Sequence, residues 1–508
     1  MREDIKNPKL IIKNGAFLFL RLLLVMAMAF YTTRLTLQLL GEEDYGINNI
    51  IGGVISMFAI ISMPITGALQ RFFNVEFTKQ EIPSRVVFNT SLRIIFWLSI
   101  GMTILYETIG LYLVNFVLHY PSERTFAVNV IFQFTIFTAV CNFFSLTYSS
   151  LLIAKENMGI PATVEILMAV LKLVFLFIIP YASIDVLIAY SAAILLVGVF
   201  QIVFYMVYCG KKYEESRLTR IRDKGLQKDI LQFSGWSTVN AVAGISLTYL
   251  SNIFINIFGG LLFNTAYGIS QQLSNAVVSF STNVLKAVDP QITSNTVAEQ
   301  NSYRDHIVLS TIKLCYLGVG FVYVLFLFYG DYLLGLWLKD VPDHVYDFCR
   351  VSLFNILITS IVLPLRTIIL ATGEIKHFYL NYLYMAIVAN ILMFALLKMG
   401  FPIITVMYLI LAAGIGYFIN AMIIVDRMTS LKVKHVLTVV ARATVALVGC
   451  GLVAYGMSKM PVTGFIRFTS GALLSFMITG FVAYLVALDT TEKSYIIKLR
   501  KRIFKNRK

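Results

Sequence analysis

GAFLFLRLLLVMAMAFYTTRLTLQLL (residues 15–40), GEEDYG (41–46) and INNIIGGVISMFAIISMPITGALQ (47–70) read as a membrane hairpin. Two apolar runs flank a tight polar corner. Each run is long enough, at roughly 1.5 Å per residue, to cross a hydrocarbon core about 30 Å thick. The corner carries three acids, Glu42, Glu43 and Asp44, and no base. Arg21 and Arg34 lie inside the first run. An arginine at membrane depth is costly, so by default it faces a bundle interior or a water-filled cavity.

Runs of this kind recur from end to end. The chain has 508 residues, 58% hydrophobic and 14% charged, with a mean hydropathy of +0.78. A soluble domain is nearer a quarter charged. A β-barrel is excluded, because its strands are segments of about ten residues with alternating hydrophobicity. The fold class is therefore an all-α polytopic membrane protein. Fourteen spans are expected: 15–40, 47–70, 86–118, 126–153, 160–179, 186–208, 233–258, 262–285, 307–329, 345–371, 378–397, 403–425, 441–457 and 468–488. The polar, basic residues 1–13 precede a span too long for a signal-peptide core, which predicts an uncleaved first helix.

Charge sets the orientation. Of the 42 lysines and arginines, 29 fall in the segments on the side of the N-terminus, 5 in the opposite loops and 8 within spans. The positive-inside rule then puts both termini in the cytoplasm. The net charge of +15 is explained the same way, and no nucleic acid partner is expected. The connector 209–231, with Lys211, Lys212, Arg217, Arg220, Arg222, Lys224 and Lys228, divides six spans from eight. A weak repeat supports that division. Tyr45-Gly46-Ile47 follows the first span and Tyr267-Gly268-Ile269 follows the seventh. Six spans separate the copies, so they run in parallel, related by a pseudo-twofold along the membrane normal. The expected domains are a six-helix lobe (1–208), the basic connector (209–231), a second six-helix lobe (232–430), two additional helices (431–490) and a basic tail (491–508).

Chemistry is sparse. Cys141, Cys209, Cys315, Cys349 and Cys450 are scattered, with no CxxC pair, so neither a zinc site nor a disulfide framework is indicated. There is no GxxxxGK[ST], HExxH or GxSxG, and no acidic metal cluster. The chain is not expected to be an enzyme or to hold a cofactor or metal.

The polar residues in the spans carry the signal. Setting aside Arg442 at the inner edge of its span, seven are bases: Arg21, Arg34, Arg93, Lys172, Lys313, Arg350 and Arg366; Glu107 and Glu165 are the clear acids. All the bases but Lys172 lie toward span ends, where snorkelling and a cavity role are both open. Lys172 sits near the centre of its span, and Glu165, seven residues earlier, projects from the same face about 10 Å away along the axis. The seventh span carries Asn240, Asn252 and Asn256. On the eighth, Gln272, Asn275, Ser279, Thr282 and Lys286 form one polar stripe, the pattern of a wet pathway wall. Pro64, Gly67, Pro364, Gly414 and Gly416 interrupt other spans.

The basic-led first helix, the corner Leu40-Gly41-Glu42-Glu43-Asp44-Tyr45-Gly46-Ile47 and the later Leu370-Ala371-Thr372-Gly373-Glu374 resemble the polysaccharide flippases of the MATE-like (MOP) superfamily. The nearest subgroup is the Wzx-type O-antigen and capsule exporters. The resemblance implies a flippase for undecaprenyl-diphosphate-linked oligosaccharide in the bacterial inner membrane. Polysaccharide polymerases and glycosyltransferases would be its neighbours, and a sodium, proton or electrical gradient its drive. It implies a cationic cavity for the pyrophosphate–sugar head. Arg21, Arg34, Arg93 and Lys172, with Glu165, are the candidates on the first lobe. Asn252, Asn256, Gln272 and Asn275 would offer hydrogen bonds to sugar hydroxyls on the second. Two rival readings are a cation-coupled multidrug exporter of the same fold and a membrane glycosyltransferase or ligase.

Overall fold

Helices account for nearly every described residue of the computed structural model, which describes 8–58, 62–79, 83–155, 157, 159–219, 223–297, 301–372, 375–461, 464–489 and 492–494. Helix α1 (Pro8–Phe58) runs straight through the expected corner. Its single non-helical residue is Gly41, at φ 74° and ψ 177°. That is backbone space a Cβ disfavours, and it splits α1 into 8–40 and 42–58. The corner GEEDYG is thus one glycine and the first turn of the next helix, because Glu42–Asp44 suit a helix N-terminus. The expected second span is shared between the end of α1 and α2 (Ser62–Lys79).

The remaining helices are α3 (Ser84–Leu105), α4 (Thr125–Ala154), α5 (Gly159–Ile178), α6 (Val186–Lys212), α7 (Lys224–Gly259), α8 (Leu261–Val297), α9 (Asn301–Leu338), α10 (Val345–Thr372), α11 (Ile375–Lys398), α12 (Thr405–Met428), α13 (Val433–Ser458) and α14 (Gly464–Val482). Two π-helical turns, Tyr106–Gly110 and Leu113–Val117, extend α3 and account for the over-long third span. Among the described residues, twelve segments are long and apolar enough to cross a membrane. The difference from fourteen has a physical cause. α1 counts once although Gly41 breaks it, and α2 and α8 are too polar to register.

Contacts divide the chain into two compact units. Unit 1 holds Met1–Gly268 and Asn390–Ile403; unit 2 holds Ile269–Ala389 and Ile404–Lys508. The divide falls inside α8 and α11 rather than in the basic connector, since α7 packs on α1 and α2.

Unit 1 is built on α4, which packs along α6 and α2 over buried Ile131, Phe132, Phe143 and Leu151. Three of its loops are tied by Arg124, which pairs with Asp44 and with Asp185, the N-cap of α6. The first half of the basic connector is strapped down as well. The Arg217 carbonyl accepts from Arg85 (3.2 Å) and Asn89 (3.1 Å), and Lys155 pairs with Glu215 at 2.5 Å.

Unit 2 is built on α9, flanked by α10 and α13. Tyr316 meets Thr444 at 3.0 Å, Tyr329 donates to the Ala454 carbonyl at 3.1 Å, and α14 packs on α13. The two helices beyond the six-plus-six scheme therefore dock on α9. Past α14, Glu492 closes the seam: it accepts from Lys313 and from Ser310, both at 2.6 Å. Lys313 is 3% exposed, so this pair is a structural clip and not a path residue.

Candidate functional site

Unit 1 gathers its buried amides into one cluster. α7 supplies Asn252 and Asn256, one turn apart and therefore on one face. α8 supplies Asn264 and α1 supplies Asn49. Asn264 Nδ2 donates to the Asn252 carbonyl (2.9 Å) and to Asn252 Oδ1 (2.8 Å), while its Oδ1 accepts from Asn256 (2.9 Å). Asn256 also grips the His119 peptide from both sides, accepting from its N–H (2.8 Å) and donating to its carbonyl (3.1 Å). Asn49 donates to the Asn264 carbonyl at 3.0 Å. The two repeated Tyr-Gly-Ile triplets explain how the helices come this close. A Cβ on Gly46 would stand 2.7 Å from the Leu261 carbonyl oxygen, and one on Gly268 would stand 2.7 Å from Asn49.

Asn252 and Asn256 are 3% and 0% exposed, with their amides satisfied by the protein itself. In this structure their side chains bond to one another and to neighbouring backbone, holding helices together. Asn49 and Asn264 complete the cluster and escaped sequence reading. The Asn-Thr pair directly after the α7–α8 turn was the available signal. The side chain of Asn240 lies outside the described residues.

The stripe on α8 is different. Asn275 is exposed and Gln272 half-buried in unit 2. Ser279 and Thr282 bond back to their own helix, to the carbonyls of Asn275 (2.7 Å) and Ser279 (3.0 Å). Exposed amides on a membrane helix need water or a polar ligand beside them. The side chain of Lys286 lies outside the described residues.

The cations sort by whether a carboxylate meets them. Lys313 has Glu492, and Arg350 has Asp347 at 3.2 Å. Arg34 is half-buried and has an interaction partner. The side chain of Arg21 lies outside the described residues. Arg93, half-buried on α3, and Lys172, half-buried at the middle of α5, have no ion pair among the described residues. Glu165 is exposed and engaged elsewhere, its charge felt by Tyr205.

Unit 2 holds another half-buried cation, this one beside an acid. Arg366 on α10 was open to snorkelling by position, yet its Nε is fully enclosed with no hydrogen-bond acceptor. Its guanidinium interacts with the hydroxyls of Tyr379 and Tyr417 and with the charge of Asp289. The rings of Tyr382 and Tyr417 lie 4.2 Å apart, and Thr367 donates to Asp289 at 2.7 Å, holding that carboxylate at the edge of the group. The arrangement is a cation walled by aromatic hydroxyls and edged by one carboxylate, with its Nε–H left without an acceptor.

No family model and no curated protein sequence matches the chain. Solved structures do. The lipid II flippase MurJ in an inward closed conformation superposes with a TM-score of 0.68 at 12% identity, covering 94% of this chain and 98% of that one. A MATE transporter in a straight conformation gives 0.55 at 16% identity, covering 83% and 96%. An inward-facing multidrug resistance MATE family transporter of the MOP superfamily gives 0.51 at 13% identity, covering 90% and 95%. The chain thus shares the fold of these transport proteins, a multi-pass helical membrane architecture found in a lipid flippase and in multidrug transporters.

Proposed function

We propose that this protein is a flippase for an anionic, lipid-linked glycan, of the undecaprenyl-diphosphate type, in a bacterial inner membrane with both termini cytoplasmic. One observation carries the reading. Lys172 sits half-buried at the middle of α5 with no carboxylate within ion-pair reach among the described residues. A charge at that depth costs several kcal/mol unless something of opposite sign arrives, and a diphosphate is the natural partner for lysine and arginine. Arg366 in unit 2, beside Asp289, adds a second half-buried cation with one enclosed N–H lacking an acceptor. The fold shared with MurJ supports a lipid-borne cargo. A drug exporter for organic cations would need unmatched acids at these places instead. No chemistry on the cargo is invoked, and the drive would be a sodium or proton gradient or the membrane potential. Partners acting before and after it would be glycosyltransferases and a polymerase.

The test is flipping of a fluorescent undecaprenyl-diphosphate oligosaccharide in proteoliposomes. We expect Lys172→Ala to slow it at least tenfold at unchanged reconstitution efficiency. Equal rates for variant and parent, or transport of an organic cation in place of the glycan lipid, would remove this reading.

A further inference from the structure

We infer that the basic end of α6 is a binding site for one anionic bilayer phospholipid, separate from the transport path. Val203, Met206 and Val207 are about half exposed (49%, 50% and 51%) and follow i, i+3, i+4 spacing, so this face of α6 looks outward. On this face lies a groove of about 610 Å³, lined by Phe200, Val203, Phe204, Val207 and Tyr208 and ending at Lys211 and Lys212. The rings form a column. Phe200 and Phe204 are 5.9 Å apart, Phe204 and Tyr208 stack at 6.2 Å and 5°, and Tyr213 adds a fourth ring 6.4 Å beyond.

Any membrane helix touches acyl chains. Two further features make this a built site. First, the polar end is braced from outside α6: Asn157 donates to the hydroxyls of Tyr208 (3.3 Å) and Tyr213 (2.9 Å). Lys212 donates to Tyr208 at 2.9 Å and rests 5.4 Å and 5.7 Å from the Tyr208 and Tyr213 ring centres, so its ammonium is held in place. Second, the local acids are taken. Glu215 pairs with Lys155 at 2.5 Å and Glu214 with Arg217 at 3.7 Å. Lys211 has no ion pair among the described residues, so the mouth of the groove keeps a net positive charge.

Depth selects the occupant. From Phe200 to Lys212 the column climbs about 18 Å at 1.5 Å per residue. That is close to half of a hydrocarbon core of about 30 Å, the reach of one phospholipid in one leaflet and far short of a polyprenyl chain. The surrounding connector is the most basic between spans, which places this end toward the cytoplasmic leaflet, where anionic lipids gather lysines.

The test titrates the purified full chain in detergent with dioleoyl-phosphatidylglycerol, and separately with dioleoyl-phosphatidylcholine, reading bound lipid by native mass spectrometry. Phosphatidylglycerol should bind at least tenfold more tightly, and Lys211→Ala with Lys212→Ala should remove that preference while leaving phosphatidylcholine binding unchanged. Tyr208→Phe keeps the ring but loses the Lys212 and Asn157 bonds, and should weaken phosphatidylglycerol about threefold. Equal binding of the two lipids, an undiminished preference in the double variant, or displacement of phosphatidylglycerol by undecaprenyl phosphate at lower concentration would each overturn the assignment.

Discussion

The asparagine cluster of unit 1 and the cations Lys172 and Arg366 are both polar groups at membrane depth, and they have opposite local balance. Asn252, Asn256 and Asn264 satisfy one another and the His119 peptide. Lys172 meets no carboxylate among the described residues, and Arg366 keeps an enclosed N–H without an acceptor. A satisfied polar group in a membrane holds helices together. An unsatisfied one is an open position for a ligand. Residue type alone does not separate these cases; the count of donors and acceptors does.

Substitution should drive the two regions apart. Asn264→Ala removes three side-chain bonds, leaving the Asn256 amide only its His119 bonds and the Asn252 amide only its longer Asn49 bonds. Buried orphaned groups cost about 1–3 kcal/mol, so thermal unfolding in detergent should fall by several degrees. Lys172→Met should leave that temperature unchanged or raise it, because an unpaired charge is replaced by an apolar stem of similar length. If Lys172→Met destabilises as much as Asn264→Ala, the lysine is a structural residue and the contrast fails.

Smaller effects sharpen the same rule with groups that do have partners. Burial pushes the Glu492 carboxyl upward, but its bonds from Lys313, Ser310 and the Asp489 backbone outweigh that and hold it below the ordinary 4.5. A carboxylate depressed in the folded state contributes stability above its unfolded value and loses it as pH falls through the folded one. Stability should therefore hold from neutrality down to about pH 5 and drop below it, and Glu492→Gln should flatten that drop while lowering stability at pH 7. Glu215 shows the weakest case. Burial raises it, and the Lys155 bond prevails and leaves it lowered. With its side chain a quarter exposed, Glu215→Gln should cost under about 1 kcal/mol at pH 7, measured by the same thermal scan.

Much of the fold was legible from the chain. Apolar runs of twenty or more residues set the helical class, and the two Tyr-Gly-Ile triplets mark places where helices pack closely. The corner itself was misread because three acids signal a loop and a helix N-terminus equally well, and only the φ of Gly41 decides. The unit boundary was not legible, since it depends on α7 packing against α1 and α2. For the site, Lys172 stood out by depth alone. Asn252 and Asn256 were visible, but their partners lie 8 to 203 residues away in the chain, so satisfaction was not. Arg366, near a span end, was left open between snorkelling and a cavity role, whereas its enclosure comes from aromatic residues on α11 and α12.

The central claim is that unmatched cations at membrane depth receive an anionic head. It is tested most directly by isothermal titration of a short-chain polyprenyl diphosphate into the purified parent, Lys172→Met, Arg366→Met and Asn264→Ala proteins. The account predicts at least tenfold weaker binding in each cation variant and near-parental affinity in folded Asn264→Ala. Equal affinity across all four proteins would contradict it.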